Sequence, residues 1–282
     1  MSDDLNRQLR ERRDKLVRRQ KLYIRLQRRW AEILIAILFV YVALPFVAPT
    51  LMRVGATGPA NALYTIYSPL CHQFAFRSMF LYGEQLFYPR AEVDQDTFVS
   101  FDQRAAQSEA FVETYTERRR NAITSEQGTA AAQMYEFGGP DELGQWSTTL
   151  QLAARSFRGD AQMGYKVALC ARDIAIYGAM VIGGILFLFV RKRLRPVPLL
   201  LYAILGLGPI GLDGFSQLIS YPPFELWPAR ESPPELRVLT GFMFGLMNVW
   251  LAFPYLEESM QRSANEMSAT LDQIGAERID RA

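Results

Sequence analysis

The sequence holds only one histidine and two cysteines among its 282 residues. A zinc-protease helix of the HExxH type needs two histidines, so this class is excluded, and a histidine-based nucleophile triad could use only His72. The serine elbow GxSxG is absent, and no phosphate-cradling glycine loop precedes a strand. The three rare residues lie in two short stretches, PLCHQ at 69–73 and LCARD at 169–173. These stretches are therefore the first candidates for a functional site.

Long uncharged runs are the main feature that the sequence does have. Half of the residues are apolar, and they concentrate in four runs without a charge, at 33–52, 174–190, 196–212 and 238–256. Each run approaches the roughly 20 residues with which a helix crosses about 30 Å of hydrocarbon. The sequence therefore predicts an all-α integral membrane protein, a four-transmembrane-helix bundle with a helical exterior insertion and cytoplasmic terminal helices.

Basic residues predict the orientation of these crossings. Eleven Lys and Arg residues lie between 7 and 29, and the turn at 191–195 reads RKRLR. Short basic loops stay in the cytoplasm, so both termini are expected there, in a multi-pass protein of the cell (inner or plasma) membrane. Cys71, His72 and Cys170 then lie at the outer membrane boundary.

The chain divides on this basis into nine segments. The first four are a basic cytoplasmic amphipathic helix (1–30), transmembrane helix 1 (31–53), an exterior or re-entrant CHQ segment (54–90) and an exterior helical insertion (91–165). The other five are transmembrane helix 2 (166–190), transmembrane helix 3 (196–219), an exterior loop (220–236), transmembrane helix 4 (237–257) and a cytoplasmic helical tail (258–282).

Two exterior regions allow a finer prediction. The aromatic stretch 61–88 suits a helix pair broken at Pro69. In the insertion, the apolar spacing predicts one amphipathic helix over 98–115 and another over 143–153, with a turn at GGP 138–140.

The crossings and the termini also show packing patterns. Ala175, Ala179 and Gly183 recur every four residues, and Gly241 and Gly245 form a GxxxG pair, which favours close helix packing. Two terminal seams follow a helical rhythm: Leu5, Leu9, Leu16, Tyr23, Leu26 and Trp30 at one end, and Met260, Ala264, Met267, Leu271 and Ile274 at the other. We expect either that these helices pair in the cytoplasm or that the basic one lies on anionic lipid.

Three interpretations of the rare residues are open. Cys71, His72, Cys170 and Asp173 are candidate ligands for zinc or another divalent transition metal. Alternatively, Cys71 and Cys170 form a disulfide in an oxidising exterior, or both remain buried thiols. Further polar candidates for the same site are Gln73, Arg77, Gln85, Arg172, Tyr177, Asp213, Gln217 and Arg237. For the arginines the default expectation is an ion pair with Asp173, Asp213 or Glu84.

The ordered motifs resemble a known family. LCHQ with a following FRS and GEQ, LCARD with a tyrosine four residues on, LDGFSQ and ELRVLTG resemble the prokaryotic polytopic membrane proteins of the domain of unknown function 2085 family. The resemblance covers roughly 64–90 and 165–250. In the family pattern a second cysteine completes CxRC, where this chain has Asp173. A carboxylate can replace a thiolate as a metal ligand but cannot form a disulfide.

Three function classes fit these observations, and the family itself implies no activity. The insertion and the terminal helices slightly favour an assembly or accessory component of a membrane complex. The alternatives are a metal-dependent membrane enzyme acting on a lipid or envelope substrate, and a small-solute transporter. The expected partners are the lipid bilayer and proteins of such a complex. Nucleic acid is not expected, because the basic N-terminus adjoins a crossing.

Overall fold

The computed structural model describes residues 2–91, 93 and 98–273 of the chain. Its N-terminal part contains α1 (Ser2–Arg28), α2 (Trp30–Ala43), a 3-10 turn (Leu44–Phe46), α3 (Val47–Arg53), α4 (Thr57–Tyr67), a second 3-10 turn (Ala75–Arg77) and strand β1 (Ser78–Leu81). The insertion contains α5 (Phe101–Ala105), α6 (Glu109–Gln127), α7 (Thr129–Gln133), α8 (Pro140–Gly144), α9 (Thr148–Ser156) and strand β2 (Gly159–Asp160). Strand β3 (Gly164–Cys170), α10 (Ala171–Val190), α11 (Leu199–Tyr202), a π-helical turn (Ala203–Leu207), α12 (Gly208–Leu218) and α13 (Pro234–Gln273) follow.

Four helical stretches are long and apolar enough to cross a membrane, which confirms the predicted fold class. They are Trp30–Arg53, Ala171–Val190, Leu199–Leu218 and Pro234–Gln273. The first and third are not continuous α-helices. A 3-10 turn containing Pro45 interrupts the first, and a π-helical turn precedes Pro209 in the third. Proline lacks the N–H that would continue the regular ladder, so the backbone shifts its hydrogen bonding at these points.

Small residues allow α10 and α13 to approach closely, as the GxxxG pattern predicts. A Cβ atom added at Gly245 would lie 2.2 Å from the Ile176 carbonyl oxygen and 2.8 Å from the Ala179 Cβ. One added at Gly241 would lie 2.7 Å from the Arg172 carbonyl oxygen. The two backbones are therefore in near contact, and this helix pair forms the centre of the bundle.

A small antiparallel sheet joins the insertion to the bundle. The strand order is β1-β3-β2, with Ser78 opposite Cys170 and Asp160 opposite Gly164. Strand β3 leads directly into α10, so the sheet fixes the start of the second crossing. The helices of the insertion surround an aromatic core that includes Phe101, Phe111 and Tyr115.

Several details differ from the sequence predictions. The stretch 61–88 is not a helix pair, because only α4 is a long helix and β1 follows it. Each helix predicted in the insertion is divided in two. Ser108 and Ser147 act as N-caps and accept hydrogen bonds from the backbone N–H groups of Phe111 and Leu150. A new helix therefore begins after each serine, α6 after Ser108 and α9 after Ser147. The turn at GGP is confirmed, with Gly139 at φ +79° before α8.

The terminal helices pair, as one of the two alternatives predicts. We call α1 together with the part of α13 beyond Pro254 the stalk. Its core consists of Val17 and Ile24 against Ala264, Met267 and Leu271. Trp30 Nε1 donates to Glu257 at 2.8 Å, and Arg191 also binds Glu257 at 2.9 Å. The seam predicted on α13 is therefore correct for these residues.

The seam predicted on α1 is wrong, because Leu9, Leu16, Tyr23 and Leu26 are exposed and the neighbouring Val17 and Ile24 make the contact. Trp30 is the one member of that seam that is buried. The side chain of Leu5, the residue Ile274 and the rest of the tail from 274 to 282 lie outside the described residues.

The contact between α10 and α13 gives a first prediction. Gly245→Ala should lower the free energy of unfolding by about 1–3 kcal/mol, because the new methyl group overpacks against backbone atoms. Thermal unfolding of the detergent-solubilised protein measures this. Gly178→Ala in α10 is the control, since its Cβ would meet nothing within 4 Å, and it should be neutral or stabilise by up to about 1 kcal/mol. Equal effects of both changes would contradict the close approach.

Candidate functional site

Two thiols and a carboxylate converge where the CHQ segment meets the start of α10. One ligand atom each from Cys71, Cys170 and Asp173 lies within 4.8 Å of the others. The Cys170 thiol is 3.2 Å from Asp173 Oδ2, and both cysteines are free thiols in this structure. We call these three residues the thiol cluster, and the end of the bundle that carries it the motif end.

The turn after α4 positions Cys71. The Cys71 N–H donates to the Tyr67 carbonyl, and the sulfur accepts from the backbone N–H groups of Gln73 at 3.4 Å and Cys170 at 3.3 Å. Gln73 adopts a left-handed backbone, with φ 56°. Its buried amide donates to the carbonyls of Tyr64 and Ala168, each at 2.9 Å. Gln73 therefore fastens the CHQ turn to both α4 and β3.

A buried lysine fixes the same turn to the insertion. Lys166, in β3, is fully buried, and its Nζ donates to the carbonyls of Gln73 at 2.6 Å, Arg155 at 2.8 Å and Ala154 at 3.1 Å. Burial, together with the nearby Arg158, lowers the pKa of Lys166 well below its ordinary value. The three carbonyls join β3 to the CHQ turn and to the end of α9, so the side chain serves as a structural link.

Helix and strand geometry place the other two members of the thiol cluster. Cys170 ends β3 and is the N-cap residue of α10, and Asp173 lies in the first turn of that helix. A carboxylate is favourable at a helix N-terminus because of the helix dipole. Interaction with the Cys170 thiol, burial and the Asp173 carboxylate raise the pKa of Cys71. The interaction between the two thiols lowers the pKa of Cys170.

A buried network of arginines and carboxylates adjoins the thiol cluster, and Glu231 is the centre of its first half. Arg77 donates to both carboxylate oxygens of Glu231, to Oε2 at 3.0 Å and to Oε1 at 2.5 Å, and Arg237 also donates to Oε2. Tyr221 Oη donates to Glu231 at 2.5 Å and accepts from Arg77 at 2.9 Å. Arg237 also donates to Gln217 Oε1 at 3.1 Å. Glu231 thus connects the CHQ segment, the 219–233 loop and α13.

Asp213, in the middle of α12, is the centre of the second half of the network. It pairs with Arg172 and, at 3.4 Å, with Arg230. Ser232 Oγ donates to the same carboxylate, and Gln217 donates to Ser232. This network of four arginines and two carboxylates carries two more positive than negative charges. Cys170 interacts electrostatically with both Arg77 and Arg237, so the network lies within electrostatic range of the thiol cluster.

Burial and pairing oppose each other at Glu231. Burial alone would raise the pKa of this carboxyl, but Arg77 and Arg237 outweigh it and lower the pKa below its ordinary value. At Arg77 burial acts to lower the pKa, and Glu231 more than compensates, so the pKa is raised. Both groups are therefore ionised at neutral pH.

Some residues predicted for the site lie apart from the thiol cluster. His72 is exposed, its ring is tilted by 36° against that of Phe74 with centroids 5.4 Å apart, and it is not within the group of close ligand atoms. Gln85 makes two hydrogen bonds to the backbone of Val99 in the insertion. Tyr177 packs edge-on against Tyr41, with ring centroids 4.5 Å apart.

Sequence reasoning missed four residues of the polar site: Tyr221, Arg230, Glu231 and Lys166. The expected pairing of Arg172 with Asp213 is found, but Glu84 pairs with Arg104, and Glu231 takes Arg77 and Arg237. Glu231 lies in a proline-rich loop without periodicity. The only sequence feature that could have indicated Glu231 as a site residue is its carboxylate, six residues before Arg237 and close to the start of a crossing.

Fold and site define a multi-span helical membrane protein with a buried polar site at one end of the bundle. Residues 151–251 match the sequence family described as predicted membrane protein (DUF2085), which confirms the resemblance over that stretch. An uncharacterized protein of Methanocaldococcus jannaschii is 34% identical over 113 residues, which cover 40% of this chain and 65% of the relative. No solved structure matches the chain.

The network around Glu231 gives a second prediction. Glu231→Gln should lower the free energy of unfolding by roughly 3–5 kcal/mol at neutral pH, since it leaves two buried guanidinium groups without a counter-charge. Because the pKa of Glu231 is lowered in the folded protein, this contribution is present above the unfolded value of about 4.3 and is lost as the pH falls through the folded pKa. Unfolding of both proteins at neutral and acidic pH measures the difference.

The matched control is Glu258→Gln, which breaks an exposed pair with Arg262. It should change stability by less than about 1 kcal/mol at any pH. A loss for Glu231→Gln no larger than that of the control, or one that persists unchanged in acid, would contradict the role given to this pair.

Proposed function

We propose that the chain is a metal-dependent membrane enzyme whose thiol cluster binds zinc or a similar divalent transition metal. The observation that carries this proposal is the convergence of three ligand atoms from Cys71, Cys170 and Asp173 within 4.8 Å. The residues come from two regions a hundred positions apart in sequence, and the sheet, Gln73 and Lys166 hold them together.

The donor set suits zinc chemically. Zinc binds thiolates at about 2.3 Å and carboxylates at about 2.0–2.2 Å, usually in a tetrahedron. Two sulfurs on one tetrahedral zinc are then roughly 3.8 Å apart, so small shifts within the cluster suffice. Cys71 must lose its proton to bind metal, and the backbone N–H groups that point at its Sγ oppose the burial and the neighbouring groups that raise its pKa.

Three protein ligands favour catalysis over a purely structural role. Structural zinc sites are usually closed by four protein ligands, whereas catalytic sites keep one position for water or substrate. A bound zinc ion supplies an activated water or a Lewis acid to such a site. The adjoining network has an excess of arginine over carboxylate, which favours an anionic substrate such as a lipid head group or an envelope component.

We further propose that the motif end faces the outside of the cell and the stalk the cytoplasm. The basic residues support this orientation, since α1 and the turn at 191–195 both lie at the stalk end. The substrate would then be reached from the outer leaflet.

Metal content gives a third prediction. The protein purified without chelators should contain about one zinc ion per chain. Each of the changes Cys71→Ser, Cys170→Ser and Asp173→Asn should remove most of this bound zinc. Elemental analysis measures it directly. His72→Ala is the matched control, because the exposed imidazole lies outside the cluster, and it should retain the metal. Protein that is metal-free after reconstitution with zinc would overturn the proposal.

The state of the two sulfurs gives a fourth prediction. After chelation, alkylation without reduction should modify both Cys71 and Cys170, because a metal site needs both as thiols. Mass spectrometry of the peptides containing them reads this out. If neither cysteine is alkylated and the joined peptides have a mass two hydrogens below the sum of the two free-thiol peptides, the residues form a disulfide. That result would exclude the proposed metal site.

A second candidate is an assembly or accessory component of a membrane complex. The stalk favours it, because α1 exposes large apolar side chains outside the four candidate spans, with Leu16 60% exposed and Leu9 55% exposed. Metal-free protein that retains this surface would leave assembly as the better-supported function.

A further inference from the structure

Three cationic side chains meet where the insertion touches the CHQ turn. Lys166 Nζ and Arg158 Nη1 both donate to the Arg155 carbonyl, at 2.8 Å and 3.3 Å, so two cationic groups share one oxygen. They also share Gln73, since Arg158 donates to its side-chain oxygen at 3.3 Å and Lys166 to its carbonyl. The guanidinium of Arg155 donates to the Ser68 hydroxyl at 2.8 Å and to the Ser68 carbonyl at 3.2 Å. We call Arg155, Arg158 and Lys166 the cation cluster.

The cation cluster has no counter-charge within the described part of the chain. Each hydrogen bond that its three side chains donate there goes to a neutral oxygen. In the neighbouring network, by contrast, Arg77 and Arg237 share the Glu231 carboxylate. Burial lowers the pKa of Arg158, and the nearby Arg155 lowers it further. Because unpaired charges away from water are costly, the cluster is suited to receive an anion from outside the chain.

The two arginines keep donors available for such an anion. A guanidinium has five N–H groups, and the bonds among the described residues use one terminal nitrogen of each arginine, Nη2 of Arg155 and Nη1 of Arg158. Both side chains are partly exposed, whereas Lys166 is fully buried. An anion would therefore contact the arginines, with Lys166 as a third charge nearby. Arginine binds phosphate through two parallel hydrogen bonds, so a phosphate group suits these donors in charge and shape.

The cation cluster lies close to the bilayer. Tyr67, the last residue of α4, donates its hydroxyl to the Tyr41 carbonyl at 2.8 Å, and Tyr41 lies inside the first candidate span. The end of α4 therefore reaches the depth of a membrane helix. Ser68 directly follows Tyr67 and accepts from Arg155, so this guanidinium is held close to lipid.

Exposed apolar side chains adjoin the same place. Ile66 and Leu70, on either side of Ser68 in the sequence, are 61% and 59% exposed. Leu152, one helical turn before Arg155 in α9, is 44% exposed. All three lie outside the four candidate spans. Apolar groups beside unpaired cations suit an amphiphile with an anionic head group and hydrocarbon chains.

From these observations we infer that the cation cluster binds the phosphate group of a membrane phospholipid. Arg155 and Arg158 contact the phosphate, and Ile66 and Leu70 lie beside the acyl chains. The leaflet at the motif end supplies the lipid, whose charge neutralises the junction between the CHQ turn and the insertion. This site uses none of the proposed metal ligands, so it does not depend on the metal.

Lipid binding to the purified full chain tests the inference. The protein is delipidated in a non-ionic detergent and titrated with dioleoyl-phosphatidylglycerol or with dioleoylglycerol, which has the same acyl chains but no phosphate. Native mass spectrometry counts the bound molecules and gives the dissociation constants. Phosphatidylglycerol should bind, and dioleoylglycerol should bind about tenfold more weakly or less, because it offers no anion to the arginines.

Substitutions locate the site on the protein. Arg155→Gln and Arg158→Gln should each weaken phosphatidylglycerol binding by about tenfold, the usual effect of losing a charged hydrogen bond. Arg53→Gln is the matched control, because it removes an exposed arginine from the same end of the molecule, outside the cluster. It should change the dissociation constant by less than about twofold. Leu70→Ser replaces an exposed side chain and so retains the fold, and it should weaken binding several-fold.

Several results would overturn the inference. These are equal binding of the two dioleoyl lipids, no effect of Arg155→Gln, Arg158→Gln or Leu70→Ser, and a loss for Arg53→Gln as large as that for the cluster arginines. Glycerol phosphate that binds as tightly as phosphatidylglycerol would show that the ligand is a soluble phosphate compound and not a lipid. Chelated and zinc-loaded protein should bind phosphatidylglycerol equally, so failure of the metal proposal and failure of this one are told apart.

Discussion

The ion pairs of Glu231 with Arg77 and Arg237 are the constraint on which the motif end depends. A buried charge near lipid costs several kcal/mol unless it is paired, so the three side chains must stay together once the helices are packed. They come from the CHQ segment, the loop before α13 and α13 itself. Asp213 repeats the arrangement with Arg172 and Arg230. The polar side chains thereby fix which ends of the apolar helices meet, which apolar packing alone leaves open.

The thiol cluster depends on this arrangement and on the insertion. Cys170 sits where a strand becomes a membrane helix, and the strand is held by β1 on one side and by the carbonyl-bound Lys166 on the other. The insertion also reaches the network directly, since Trp146 stacks on Tyr221 with ring centroids 4.1 Å apart. A segment outside the sequence motifs thus supports the side chains that the motifs supply. This explains how a site can form from residues separated by a hundred positions.

A different kind of contact joins the helices at the opposite end of the molecule, in the stalk. There the helices leave the apolar bundle, and their pairing rests on a narrow seam with Glu257 bonded to both Trp30 and Arg191. Such a seam stabilises one contact and leaves the rest of α1 facing solvent. The periodicity of Leu9, Leu16 and Tyr23 predicts a helical seam, but in the structure Val17 and Ile24, each one residue further along the chain, make the contact with α13.

Sequence alone determined the membrane class, the four spans, the close packing of helices at small residues and the expectation that the arginines pair with carboxylates. These follow from local rules, since run length, residue size and the cost of a buried charge can be read residue by residue. The tertiary structure decided that Glu231 completes the network, that His72 is exposed and lies outside the thiol cluster, and that Val17 and Ile24 form the stalk core. Each of these depends on which segments meet in space, and contacts between distant segments are set by the packing of the whole chain.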